Sequence, residues 1–127
     1  MKIFFDGGHR PSGMEWAVVL GGETRVARDL GAGSAMAAEW LALIAATEWA
    51  VERGVTDAIL LGDALAVIAQ ANGTARIPTL CRPWHERWLA LPRPPRLRLR
   101  HVKRTQNLAG IALTRLSRGP TLAANHR

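Results

Sequence analysis

The sequence is short of sulfur, of long apolar runs and, over its second half, of acid. Cys81 is the single cysteine among 127 residues. That excludes an internal disulfide and a cysteine-based zinc site, and it suits a reducing, cytoplasmic setting. No local motif around Cys81 supports a nucleophile. No apolar run approaches the ~20 residues that cross a bilayer, and the opening M-K-I-F-F-D reaches its first acid too soon for a secretory signal. Neither a membrane nor an obligate protein partner is indicated. After residue 75 the one acid is Glu86, set against Lys103 and eleven arginines, whereas the first 75 residues hold five basic and nine acidic side chains. The net charge is +7. An arginine-rich half points to a polyanionic partner, because guanidinium keeps its charge and meets phosphate with a planar fork. A merely basic, soluble surface is the plainer reading of the same asymmetry.

What is present suits one globular domain: 48% of residues are hydrophobic and 21% charged. We place the domain at 1–118 and a flexible C-terminal tail at 119–127. Lys2–Asp6 reads as a buried strand that leaves through a sharp turn at Gly7-Gly8. Two further strands, Glu15–Gly21 and Glu23–Leu30, join at Gly21-Gly22, a hairpin signal. Ser34 is an N-cap candidate for a long apolar helix that ends before Gly54. Asp57–Gly62 reads as a buried strand whose position after a helix implies a parallel crossover onto the first. A short helix follows Asp63 and closes at Asn72-Gly73. Leu80–Leu91 forms a helix with Trp84 and Trp88 on one face, Arg96–Val102 a strand alternating basic and apolar residues, and Leu108–Leu116 the last helix. The element order is β-β-β-α-β-α-α-β-α.

Three acids have positions that convergence would explain. Asp6 ends the first strand, Asp63 ends the fourth, and Glu39 lies in the second turn of the helix between them, on a largely apolar face. If the two strands pair in parallel, the three carboxylates meet. Close carboxylates do not all stay ionised without a cation, and oxygen donors favour Mg²⁺ or Mn²⁺. Two such ions can activate water and stabilise the leaving oxygen in phosphodiester hydrolysis. Taken singly, Asp6 also reads as a turn aspartate and Asp63 as an N-cap. Gln70 and Asn72 are candidate minor-groove contacts or simply a helix end with its turn. Trp84 and Trp88 could stack on bases, though tryptophans at helical spacing more often fill a core.

The stretches I-F-F-D-G-G, A-E-W-L-A-L-I-A-A, L-L-G-D-A-L-A-V-I-A-Q-A-N-G and R-H-V-K-R-T-Q-N-L-A together resemble type 1 ribonuclease H. The resemblance spans about Met1 to Leu116. It implies an α/β, ribonuclease H-like fold with a five-stranded mixed sheet and helices packed on it. The activity it implies is endonucleolytic cleavage of the RNA strand of RNA–DNA hybrids with two Mg²⁺. It maps catalytic, metal-binding acids onto Asp6, Glu39 and Asp63, and it makes RNA–DNA hybrid the expected partner. Gly7, Gly8, Gln70, Asn72, Arg96, Arg98, Arg100, Lys103, Arg104 and Asn107 are the candidate nucleic-acid contacts.

The sequence departs from the family pattern in three places. A fourth aspartate, expected in N-x-x-A-D, is missing from N-L-A-G-I-A-L, where Gly110 stands at or beside its position. One ion should therefore bind firmly and a second weakly. Ala35 and Met36 stand where paired asparagines often contact RNA. The loop with a mobile histidine is missing, and His101 lies on the strand itself, in a structural or phosphate-facing role. The alternative function is a ribonuclease H-like module that binds hybrid or another nucleic acid with little or no cleavage. An exonuclease of related fold would need an acid at Gly8.

Overall fold

The computed structural model describes the backbone of residues 1–125 and the side-chain surroundings of residues 1–116. Five strands, β1 (Lys2–Arg10), β2 (Gly13–Leu20), β3 (Glu23–Ala27), β4 (Asp57–Gly62) and β5 (Arg96–His101), form one sheet in the order β3-β2-β1-β4-β5. The first three are antiparallel neighbours, and β4 pairs in parallel with both β1 and β5. Helices α1 (Ala35–Glu52), α2 (Leu65–Ala71), α3 (Arg82–Leu89) and α4 (Leu108–Asn125) complete the expected element order, with short 3₁₀ turns at Thr79–Cys81 and Arg104–Gln106. No helix among the described residues is long and apolar enough to cross a membrane.

The first hairpin differs from the sequence expectation. β1 does not leave the sheet at Gly7-Gly8. It runs on to Arg10, pairing Gly7 with Trp16 and Gly8 with Glu15. The reason lies in α1: a Cβ on Gly7 would stand 2.2 Å from the backbone carbonyl of Ala38. Glycine here admits a helix to the strand rather than a turn. Gly21 and Gly22, with φ of 55° and 82°, do make the expected hairpin turn. β3 ends at Ala27, short of the expected Leu30.

α1 starts as predicted, with Ser34 Oγ accepting from the Ala37 amide at 3.0 Å. The main core lies between the sheet and α1, α2 and α3. Trp40 is fully buried there, edge-on to Trp88 with ring centroids 6.3 Å apart. Trp88 donates its indole N–H to Thr47 at 2.9 Å, and Trp84 packs half-buried on the same core. Both tryptophans are therefore core residues.

On the other face α4 seats Ala109 and Leu113 over Ala17, with Phe4, Val19 and Val26 around them. α4 packs over β1, β2 and β3. Its backbone stays helical to Asn125, beyond the predicted end at Leu116. Of the tail expected at 119–127, the side chains and the last two residues lie outside the described residues.

Candidate active site

β1 and β4 pair over only three positions, the last being Phe4 with Leu61. Beyond it the strands part, β1 continuing along β2 and β4 ending at Gly62. Asp6 and Asp63 flank that opening, so the parallel crossover inferred from sequence places them side by side. Asp6 lies within β1 rather than at its end, a consequence of the strand running through its glycines. Gly62 allows the end of β4 to pass close over Phe5, whose ring tip is 2.6 Å from where a Cβ would stand.

Glu39 enters from α1. Its Oε1 accepts the Gly7 amide at 2.9 Å, so the bare strand that admits the helix also holds the acid it carries. Asp63 is not spent on capping: α2 starts from Ala64 with no side-chain cap. Instead Asp63 Oδ2 accepts from Asn107 Nδ2 at 3.0 Å. Carboxylate oxygens of Asp6, Glu39 and Asp63 lie within 4.8 Å of one another.

Such proximity is costly for charge. Burial, with the nearby Asp63 carboxylate, pushes Asp6 up to about 6, against the opposing pull of a hydrogen bond with Glu39 and then of the Arg104 charge. Burial and the charge of Asp6 push Glu39 up to about 9. At neutral pH the Asp6–Glu39 pair therefore retains a proton when no cation is present. Three oxygen donors, partly desolvated and mutually repulsive, fit a hard divalent cation.

The acids open into a cleft of about 500 Å³, shared with Gly7, Arg104, Gly110, Ile111, Thr114 and Arg115. No acid follows Glu86 in the sequence, so α4 brings none. Gly110 packs against the cluster itself: a Cβ there would be 3.2 Å from Asp6 Oδ2 and 3.7 Å from Asp63 Oδ2. Of the two neighbouring positions, Ile111 is the one with a side chain lining the cleft.

The candidate nucleic-acid contacts are placed unevenly. Gly7 lines the cleft, and Gly8 adjoins Glu15. Gln70 faces the core, 4% exposed, accepting the Trp40 indole N–H at 3.2 Å. This corrects its reading as a groove contact, for its carboxamide is already engaged inside the protein. Asn72 is exposed and ties the end of α2 to β5 through the Leu99 carbonyl. Arg96, Arg98 and Arg100 project from alternate positions of β5 and are exposed, with Arg98 paired to Asp57 at 3.1 Å. His101, Lys103 and Arg104 are exposed around the turn that follows.

Asn107 is fully buried. Its amide group also donates to the Phe5 carbonyl at 3.0 Å, and its Oδ1 accepts from the Ala109 amide at 3.1 Å, capping α4. A contact surface is thus the wrong role for Asn107, because every polar atom of its side chain is committed behind the acids. Sequence reasoning passed over Thr114 and Arg115. Their signal was helical spacing, Arg115 falling one turn beyond Ile111.

The family model described as reverse transcriptase-like matches residues 18–117. Among solved structures, the RNase H1 of the halophilic archaeon Halobacterium salinarum NRC-1 is 29% identical. It superposes with a TM-score of 0.75 over 88% of this chain and 92% of that one. The N-terminal RNase H domain of rv2228c from Mycobacterium tuberculosis, determined as a maltose-binding-protein fusion, is 26% identical, with a TM-score of 0.72 over 88% and 93%. LC11-RNase H1, solved in complex with an RNA/DNA hybrid, shares the fold at 21% identity, with a TM-score of 0.63 over 84% and 88%. No functionally curated protein matches. With a family match over most of its length and a five-stranded mixed sheet of the same architecture, the chain belongs to the reverse transcriptase-like family and has the type 1 ribonuclease H-like fold.

Proposed function

We propose that this protein is a metal-dependent endoribonuclease that cleaves the RNA strand of RNA–DNA hybrids. The observation that carries the reading is the meeting of Asp6, Glu39 and Asp63 within 4.8 Å at the mouth of a cleft that also holds arginine. Asp6, Glu39 and Asp63 would hold Mg²⁺ or Mn²⁺. Such an ion supplies charge that favours hydroxide formation from water and stabilises a departing alkoxide. The chain's own groups have separable tasks. The Gly7 amide orients Glu39, Asn107 orients Asp63, and the proton shared by Asp6 and Glu39 departs when positive charge is supplied. Arg96, Arg100, Lys103 and Arg104 offer a cationic track for the nucleic-acid backbone.

Without a fourth acid, the second ion has too few anionic ligands to bind firmly. That same lack favours a second reading, a module that holds hybrid with little cleavage. Incubating a labelled RNA–DNA hybrid with the natural chain and with Asp6→Asn, over a titration of Mg²⁺ and of Mn²⁺, separates the two. Cleavage of the RNA strand that is lost in Asp6→Asn supports the nuclease. Retention of hybrid without metal-dependent cleavage supports the binding module. Ala35 and Met36 leave weak means of sensing RNA, so duplex RNA and duplex DNA belong in the same assay.

A further inference from the structure

The acid cleft also contains cationic groups. Arg104, from the turn before α4, and Arg115, from the second turn of α4, line it together with the three carboxylates. Both side chains are exposed. Neither makes a hydrogen bond or ion pair with any described residue. Arg104 is close enough to Asp6 for its charge to act on that carboxyl. Four arginines elsewhere in the fold are paired with carboxylates, Arg25 with Glu52, Arg28 with Glu15, Arg53 with Glu23, and Arg98 with Asp57. Arg104 and Arg115 differ from the other exposed arginines in lining the acid cleft.

We propose that Arg104 and Arg115 form a two-armed clamp for a phosphodiester. The clamp would hold the scissile phosphate beside Asp6, Glu39 and Asp63, whose carboxylates would hold the cation, and would supply the positive charge that a firmly bound second ion would otherwise bring. This rests on the nuclease reading and deepens it. Gly110 and Ile111 leave the α4 wall of the cleft without a negative ligand, and the next cleft-lining turn of the same helix offers a guanidinium. The local charge has thus changed sign, from a wall suited to a cation to one suited to an anion. Guanidinium matches phosphate through paired N–H donors and cannot lose its proton. Two arms from separate elements fix the orientation of the group as well as its position.

The test is binding, free of turnover. Retention of a short labelled RNA–DNA hybrid is measured in EDTA across a series of KCl concentrations, for the natural chain, Arg104→Gln, Arg115→Gln and the double variant. Mn²⁺ binding to each protein without nucleic acid is measured by calorimetry. Each single change should weaken hybrid binding about tenfold and the double change about a hundredfold, as for lost charge-assisted hydrogen bonds. The slope of log affinity against log salt should fall by about one for each arginine. Mn²⁺ affinity should hold or rise, since a neighbouring positive charge is removed. The double lysine variant should restore the slope but only part of the affinity, because lysine keeps the charge without the fork.

Hybrid binding by the double glutamine variant equal to that of the natural chain overturns the clamp and leaves the nuclease reading standing. A natural chain that neither retains nor cleaves hybrid overturns both. A double variant that loses Mn²⁺ as well as hybrid, with its circular dichroism altered, also overturns the clamp, since the arginines would then be holding the site together. The Arg115→Gln single change guards against that case, because its exposed side chain has no hydrogen-bond or ion-pair partner among the described residues to lose.

Discussion

Gly7 and Glu39 are joined by a 2.9 Å hydrogen bond from strand backbone to carboxylate, at the point where α1 comes so close that Gly7 has no room for a Cβ. One contact therefore serves both packing and chemistry. Gly7→Ala would drive a methyl group into the Ala38 carbonyl and push α1 from β1. We expect it to cost about 1–3 kcal/mol or more, as overpacking does, and to weaken Mn²⁺ binding by displacing Glu39. Urea unfolding and metal calorimetry on the same variant check both halves.

Asn107 should matter as much to the fold as to the site. Asn107→Ala removes the cap of α4 and the buried donor to Asp63 and Phe5. The expected loss is about 2–4 kcal/mol, from a cap and buried hydrogen bonds of which one meets a carboxylate. A midpoint of urea unfolding unchanged from the natural chain would contradict this role.

The raised carboxyls predict how stability depends on pH. Glu39 is pushed up to about 9 and Asp6 to about 6, so between pH about 4 and 9 the folded protein holds protons that the unfolded chain has released. Stability from these groups is therefore complete below about pH 4 and lost as pH rises through the folded values. Melting in EDTA should show this decline. Mn²⁺ should flatten it, since a cation stabilises the ionised cluster. A melting temperature in EDTA that rises steadily from pH 5 to pH 9 would count against the buried, repulsive cluster.

The missing acid can be restored at one of two adjacent positions. Ile111 lines the cleft, whereas a side chain on Gly110 would begin 3.2 Å from Asp6 Oδ2. Ile111→Asp is expected to add a second Mn²⁺ site and raise cleavage at low metal. Gly110→Asp should crowd Asp6 and place like charge against it. Calorimetric stoichiometry decides between them, and a second site gained only in Gly110→Asp would reverse the assignment.

The β5 arginines should act through charge alone. Changing Arg96 and Arg100 to Gln should weaken hybrid binding and lower the salt slope by about two. Adding Arg98→Gln should change less, because Arg98 already pairs with Asp57. An unaltered slope in the Arg96, Arg100 variant would remove β5 from the contact surface.

Features that depend on near neighbours are legible in the chain before it is folded. Ser34 capping α1, the Gly21-Gly22 turn, the period-two arginines of β5 and the order of elements all follow from rules acting over a few residues. The placement of the acids follows as well, once parallel pairing is inferred from the crossover. Tertiary structure alone decided the rest, because the partners are far apart in the chain. Asn107 meets Phe5 across 102 residues, and nothing local distinguishes it from an exposed turn asparagine. Gln70 turns inward because Trp40, 30 residues earlier, offers a buried N–H. Gly7 reads as a turn until α1 is laid over it, and Arg115 reads as an ordinary helical charge until its helix is docked beside the acids. Local steric preference and periodicity act through the backbone of a few residues, whereas hydrogen-bond satisfaction and electrostatics in a desolvated site depend on which distant groups the fold brings into contact.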